Sequence, residues 1–489
     1  MKYRKALALL LAVVLILSLA ACGSEAGTPA PAQSESPATD AGPAVETAAP
    51  KSVETDLTSM TWDDILAEAD GQTLTLNVYN ADTQVAKYWD RIVELGKDYG
   101  IDVVIVPETG DTDARMISDW QDGAVATYDM TWGYYGYTFK AYYDAGCLWG
   151  DDGEEWVRYL PNAQFIDWER NTYRYDCGLP TNYMESPLMG LTPMLAYSDD
   201  KYDASIAWNE TTIAEDGSTR IGLFHDLTEL YNWVQMYPGC FTYLDLAGAG
   251  AFHGRCFVKS VLYELTDDGN GGWKTVYDPT DDAQTRYDKI EANAQSWYAW
   301  LQTDEATEEN FIQKAGYAWA YLNDLEPYLL QGDGGPYYGS DAYAMADYVN
   351  SGVLATTFSS TSSISPKLQS DPSYLKGGQV YMMQTSVFAS DFMVITKNSG
   401  SKAAAMVLAN LMLEPRLQAD CFGLTGNTYN VDLTKLSEED QAYFEQVFAG
   451  MLPGTSPSAE DMKNFSHVDI GGNIGAWLTA CWTQEVVNK

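Results

Sequence analysis

The chain has 489 residues, of which 69 are acidic and 28 basic, giving a net charge of −41. Such a surface repels phosphate backbones and argues strongly against nucleic-acid binding, while 46% hydrophobic residues rule out wholesale disorder. The three histidines, His225, His253 and His467, stand far apart and in no HExxH-type spacing, so a histidine metal site is not expected.

The first residues read as an export signal, residues 1–21. Lys2, Arg4 and Lys5 precede an uncharged apolar run from Ala6 to Ala20, shorter than the roughly 20 residues of a spanning helix. The run ends in Leu19-Ala20-Ala21-Cys22-Gly23-Ser24, which resembles a bacterial lipobox. That resemblance implies lipidation of Cys22 and an extracytoplasmic protein held on the cell membrane by acyl chains, a durable anchor when two chains insert. Residues 22–59 contain no aromatic side chain, and their Ala, Pro, Ser, Thr, Glu and Gly cannot bury enough surface to order the chain. A disordered tether is expected there, spanning on the order of 35 Å.

Strand and helix signals then alternate. Leu74–Asn80 alternates like a strand, Val85–Tyr99 has helical apolar spacing, and Ile101–Pro107 is a short β-branched run typical of a buried parallel strand. A helix at Ala114–Gln121, a strand at Tyr128–Trp132 and a helix at Phe139–Leu148 complete a βαβαβα order, which calls for a parallel sheet covered on both faces. Leu188–Ser198 reads as one further strand. Residues 225–348 read as mostly helical, with amphipathic runs at Leu227–Tyr237, Ala283–Leu301 and Phe311–Leu330, and with Cys256–Thr266 as short β structure. Val353–Phe358 and Phe388–Thr396 are expected strands. Lys402–Leu413, Glu438–Met451 and Gly475–Val487 are expected helices. Six cysteines besides Cys22 permit up to three bridges in an exported protein. The local pairs Cys147–Cys177 and Cys240–Cys256 are the natural ones, and buried free thiols are the alternative for these and for Cys421 and Cys481.

No GxSxG elbow, P-loop or GxGxxG is present. Adjacent acids such as Asp63-Asp64 and Asp281-Asp282 do not by themselves supply the opposed carboxyl groups of a glycosidase, and they read as solvated surface. No catalytic set, cofactor or metal is therefore expected. In α/β sheets, ligands bind beyond the carboxyl ends of the strands. Those ends bring Asn80 and Asp82 after the first strand, and Trp132, Tyr134 and Tyr135 at the third. They bring Ser359, Ser360 and Thr361 after Val353–Phe358, with Ser386 and Phe388 at the late strand. Rings for stacking and small hydroxyls for hydrogen bonding thus gather at expected cleft positions.

An exported chain with three βα units ahead of a mostly helical region resembles the family 1 extracellular solute-binding proteins of ABC importers. The segment Phe388–Gly423, FASDFMVITKNSGSKAAAMVLANLMLEPRLQADCFG, resembles that family's crossover strand and returning helix. Trp62–Gly71, Tyr99-Gly100-Ile101, Leu160-Pro161-Asn162 and Trp233–Tyr243 resemble, more narrowly, its YnjB-like subgroup. Two positions depart from that subgroup. Trp132-Gly133-Tyr134-Tyr135-Gly136 replaces an Asn-Gly-Glu-like turn, and Cys240 replaces a usually basic residue. The resemblance implies an α/β, two-lobed, type II periplasmic-binding-protein-like fold with a ligand cleft between the lobes. Lobe I is expected at 60–195 and 388–423, and lobe II at 196–387 and 424–489. It further implies a monomeric lipoprotein that captures a small solute and delivers it to an ABC permease without doing chemistry. Rings and acids favour a sugar or an organic cation. A surface-anchored carbohydrate-active enzyme and an adhesion lipoprotein are the rival readings.

Overall fold

Local chemistry starts the first lobe cleanly. Thr61 caps helix α1 (Trp62–Ala69) and exchanges hydrogen bonds with Asp64 in a capping box. Strand β1 (Thr73–Val78) buries Leu74, Leu76 and Val78. Helix α2 (Thr83–Asp98) follows it and ends at Gly100, whose φ of +71° suits glycine; a Cβ there would also lie 1.9 Å from Asp70 Oδ1. Strand β2 (Asp102–Pro107), helix α3 (Thr112–Gln121), strand β3 (Met130–Gly133) and helix α4 (Gly136–Ala145) complete the alternation. β1 pairs in parallel with both β2 and β3, as right-handed βαβ crossovers require.

The computed structural model describes residues 56–489 except 80–82, 134, 135, 177, 178, 248–250, 361–363, 365, 366, 369, 372, 376, 377, 472 and 473. The export signal, Cys22 and nearly all of the tether lie outside the described residues, as do Asn80, Asp82, Tyr134, Tyr135 and Thr361. Among the described residues no helix is long and apolar enough to cross a membrane.

The single strand expected at Leu188–Ser198 is two, β4 (Glu185–Leu191) and β5 (Pro193–Tyr197), separated by Thr192. β4 joins the first sheet, whereas β5 sits at the centre of a second, antiparallel sheet between β6 (Thr356–Ser360) and β7 (Gln379–Tyr381). The buried Thr192 hydroxyl meets that of Thr428 at 2.8 Å, tying down the point of transfer. Periodicity alone could not locate this break, because both halves are buried and apolar.

The second lobe contains α5 (Leu227–Met236), α6 (Ala251–Glu264) and α7 (Ala283–Leu301). Cys256–Glu264 belongs to α6, which corrects the β reading of that segment; only Leu265–Asp267 beyond it is a strand. Every residue from Cys256 to Glu264 is buried, so no polar stripe betrays the helical period. The helix expected at Phe311–Leu330 is interrupted at Ala315, between Glu308–Lys314 and Gly316–Leu325.

Strand β8 (Ser386–Ile395) binds the architecture together. It runs antiparallel to β3 over Phe392–Ile395 and to β4 over Ala389–Val394, and parallel to β9 (Ser466–Val468) over Ser386–Phe388. Val387 packs in the second core with Phe224, Trp233 and Phe257, whereas Met393 and Ile395 pack in the first with Leu76, Trp89 and Met406. The chain passes between the cores near Thr192, along β8, and again between Phe444 and Met462. Helices α8 (Lys402–Met412) and α9 (Pro415–Thr425) cover the first sheet, and α10 (Glu438–Gly450) packs on α9. α11 (Ile474–Trp482) closes the second core.

Cys147, Cys240, Cys256, Cys421 and Cys481 are all free. The Cys240–Cys256 pairing is therefore corrected, and Cys147 is not bridged to Cys177, which lies outside the described residues. Burial raises the thiols of Cys147, Cys256, Cys421 and Cys481, consistent with inert packing.

Candidate ligand cleft

Beside β8 lies a cavity of about 770 Å³ with walls from both lobes. The side of the first core contributes Arg170, Tyr173 and Asn430, the side of the second Tyr287 and Lys463, and β8 itself Phe388. Arg170 hydrogen-bonds to the Tyr287 hydroxyl, so one side-chain link spans the opening between lobes. Tyr287 in turn stacks on the buried His467 at 4.5 Å and 24°, and His467 Nδ1 meets Glu291 Oε2 at 3.0 Å. That stack fixes the tyrosine ring from behind. Phe388 is placed by close approach: a Cβ on Gly190 would lie 2.3 Å from its ring. The volume and the mixture of rings, amide and both charges suit a small polar solute.

The expected site residues are distributed as follows. Phe388 lines the cavity, and Ser386, buried, pairs with Ser466, which also lines it. Ser359 and Ser360 are buried strand residues of β6, opposite Met194 and Pro193. Trp132 is only 6% exposed and packs in the first core, with its ring 5.7 Å from Trp89 and 6.0 Å, edge-on, from Tyr79. Trp132 and the β6 serines therefore belong to different sheets.

Three buried acids that the strand-end reasoning passed over lie outside the cavity lining. Asp391 is on β8, next to Ser390, whose hydroxyl meets the wall residue Asn430 at 3.3 Å. Asp176 lies three residues beyond Tyr173, in the short pair Tyr175–Asp176/Leu179–Pro180. Glu185 opens β4, opposite Val394 of β8. Their exposures are 4%, 6% and 0%. Burial, reinforced by repulsion from Asp176, holds the Asp391 and Glu185 carboxyls well above the usual carboxylate range. The Trp132 indole N–H opposes that shift at Asp391. Neither oxygen of Glu185 has a hydrogen-bond partner, nor has Oδ2 of Asp391. One sequence signal was available: Asp391 interrupts the otherwise uncharged strand SVFASDFMVI. Among the described residues no group of three or more His, Cys, Asp or Glu is arranged to hold a metal ion.

No family model matches the chain. Protein YnjB of Escherichia coli K12 is 24% identical over 363 residues, which is 73% of this chain and 78% of that protein. The cyclic α-maltosyl-1,6-maltose binding protein of Arthrobacter globiformis superposes with a TM-score of 0.53 at 12% identity, covering 84% of this chain and 92% of that one. The spermidine/putrescine ABC transporter substrate-binding protein PotD of Streptococcus pneumoniae superposes with a TM-score of 0.50 at 15% identity, covering 85% and 98%. The fold is the two-lobed α/β type II periplasmic solute-binding fold.

Proposed function

We propose that this chain is an extracytoplasmic solute-binding lipoprotein that captures a small solute and delivers it to an ABC permease, performing no chemistry itself. The observation that carries the reading is the cavity of about 770 Å³ walled by side chains of both lobes beside the chain crossings. A solute held there joins the lobes and favours a closed arrangement by hinge motion. The two superposed proteins are named for a maltose-type sugar and for polyamines, so the reading takes in a sugar or an organic cation. Phe388 and Ser386 serve as ligand contacts in this reading. Asn80, Asp82, Tyr134, Tyr135 and Thr361, outside the described residues, are further ligand contacts in this reading on the sequence argument alone. The lobes are 60–195 with 388–423, and 196–387 with 424–489; the third crossing between Phe444 and Met462 would move residues up to about 444 into the first.

The basic start, apolar run and lipobox-like Leu19–Cys22 support a lipid anchor. Cys22→Ser is expected to abolish detergent-phase partitioning of the full-length protein or to block its maturation. Unchanged partitioning would remove the anchor.

The carrier itself is tested by calorimetry and thermal shift with purified protein against sugars, amines and carboxylates, alongside an assay for oligosaccharide turnover. One molecule bound per monomer, without turnover, is expected. Hydrolysis lost on mutating a cleft carboxylate would transfer the case to the carbohydrate-active enzyme.

A further inference from the structure

The cavity beside β8 is lined by hydrogen-bond donors that lack acceptors. Asn430 is 1% exposed, and its Nδ2 has no partner; Ser466 is 2% exposed, and neither has its Oγ. Both line the cavity, as does Arg170. Other buried or half-buried bases find acceptors. Lys259 meets Asp469, Lys397 meets Asp151, and Arg286 donates to Asp281 O at 3.0 Å and Pro279 O at 2.6 Å. Arg170 has five N–H donors, yet among the described residues it forms no ion pair, and its side chain donates to the neutral Tyr287 hydroxyl. Burial works against its charge, but Tyr173, Tyr287 and Asp167 outweigh that effect, so it stays a cation.

These donors are neighbours. The Tyr287 hydroxyl accepts from Arg170 and donates to the Ser466 carbonyl at 3.2 Å, so Arg170 and Ser466 meet at one phenol. Arg170 also acts electrostatically on Tyr429, the residue before Asn430. The wall's acids leave the donors unserved: Asp432 accepts from Thr434 N at 3.0 Å and Thr434 Oγ1 at 2.7 Å, and Glu460 is exposed. A buried donor without an acceptor is destabilising. Water in a polar cavity can serve an amide or a hydroxyl, but a guanidinium removed from bulk water is best served by negative charge.

We propose that the transported solute carries a carboxylate, held by the Arg170 guanidinium, with Asn430 Nδ2 and Ser466 Oγ donating to the same group. A carboxylate is planar, and its two oxygens match the guanidinium fork. The inference rests on the carrier reading and narrows it. A sugar acid, or a cation that also bears a carboxylate, fits; a neutral sugar or a simple polyamine does not. A phosphate monoester, with up to two charges, meets stronger repulsion from a chain of −41. Lys463 adds a second positive charge to the cavity wall.

The experiment is calorimetry on the full chain with six probes: succinate, glucuronate, 4-aminobutyrate, glucose 6-phosphate, cellobiose and putrescine. At least one of the three carboxylates is expected to bind, and its methyl ester to bind about tenfold more weakly or worse. Arg170→Gln should weaken that carboxylate about a hundredfold and Arg170→Lys about tenfold. Ser466→Ala removes a hydroxyl that has no partner in the empty protein. It should weaken the carboxylate severalfold while the ligand-free melting temperature stays unchanged or rises, which keeps the test open if an Arg170 variant fails to fold. An ester that binds as tightly as its acid overturns the inference, as does Ser466→Ala lowering the melting temperature with no change in Kd. If cellobiose, putrescine or glucose 6-phosphate binds in preference to every carboxylate, the carboxylate inference falls and the carrier stands. If none of the six binds, the inference falls; oligosaccharide turnover in that case would overturn the carrier as well.

Discussion

Two buried carboxyl sites in this protein were built from the same residue type to opposite ends. Glu264, in the second lobe, sits among three donors that all point at it, and burial together with the charge of Asp226 still pushes its carboxyl up to about 8. Glu185, in the first sheet opposite Val394, is as deeply buried and has no donor at all. The first is a structural keystone, joining the N-terminus of α5, the strand-side Tyr277 and Thr385 ahead of β8. The second is buried with neither oxygen hydrogen-bonded. Burial and a raised carboxyl are common to both; the number of donors sets them apart.

The sharpest way to break this comparison is to delete the keystone. Glu264→Ala strands the Leu227 amide and the Tyr277 and Thr385 hydroxyls, so a loss of about 4 kcal/mol is expected from orphaned donors and the cavity together. Urea denaturation measures it, and a loss below about 1 kcal/mol would erase the difference between the two sites. Trp132→Ala comes next. A fully packed ring between Trp89 and Tyr79 should cost about 3 kcal/mol by the same measurement. A smaller loss, with ligand affinity falling instead, would move Trp132 from core to binding surface.

Titration sharpens the contrast further. Glu264 protonates in the folded state near 8 but near 4.5 when unfolded, so the folded state binds more protons across that window. Stability is therefore fully present below about pH 4.5 as far as this group is concerned, and is lost as pH rises toward 8. The slope approaches about 1.4 kcal/mol per pH unit. Glu185 and Asp391, also raised, act in the same direction. Unfolding free energies at pH 5, 6, 7 and 8 should fall steadily, and Glu185→Gln should shallow the fall without touching the share due to Glu264. A flat profile in the parent would show that these carboxyls are ionised and solvated in the fold. The smallest expected effect is that of Glu185→Gln on the ligand-free protein at pH 7. It should be neutral or stabilising by about 1 kcal/mol, because a neutral amide replaces an acid that has no partner to lose.

Much of the first lobe was legible because its chemistry is local. The glycine stop at Gly100 and the signals for β1 and β2 are each written within a dozen residues. The second lobe was read less well where helices are buried all round, as at Cys256–Glu264, since a helix without a wet face loses its period. The site was the least legible part. Strand-end reasoning named Phe388, which lines the cavity, whereas Arg170 and Asn430 lie in segments with no periodic signature at all.

The sequence by itself determined the sorting of the chain into α/β units, the export-like start, the excess of negative charge and, through an acid inside an apolar strand, a hint at Asp391. Tertiary structure alone decided that β8 would carry Val387 in one core and Met393 in the other, and that the strand from Glu185 to Tyr197 would break at Thr192 to serve two sheets. It alone brought Asp176 within electrostatic reach of Glu185 and Asp391, from 215 residues of chain. The reason is physical. Helical and strand periods are properties of neighbouring residues, but the partner of a buried charge is chosen by whichever distant segment the packing of two cores delivers to it.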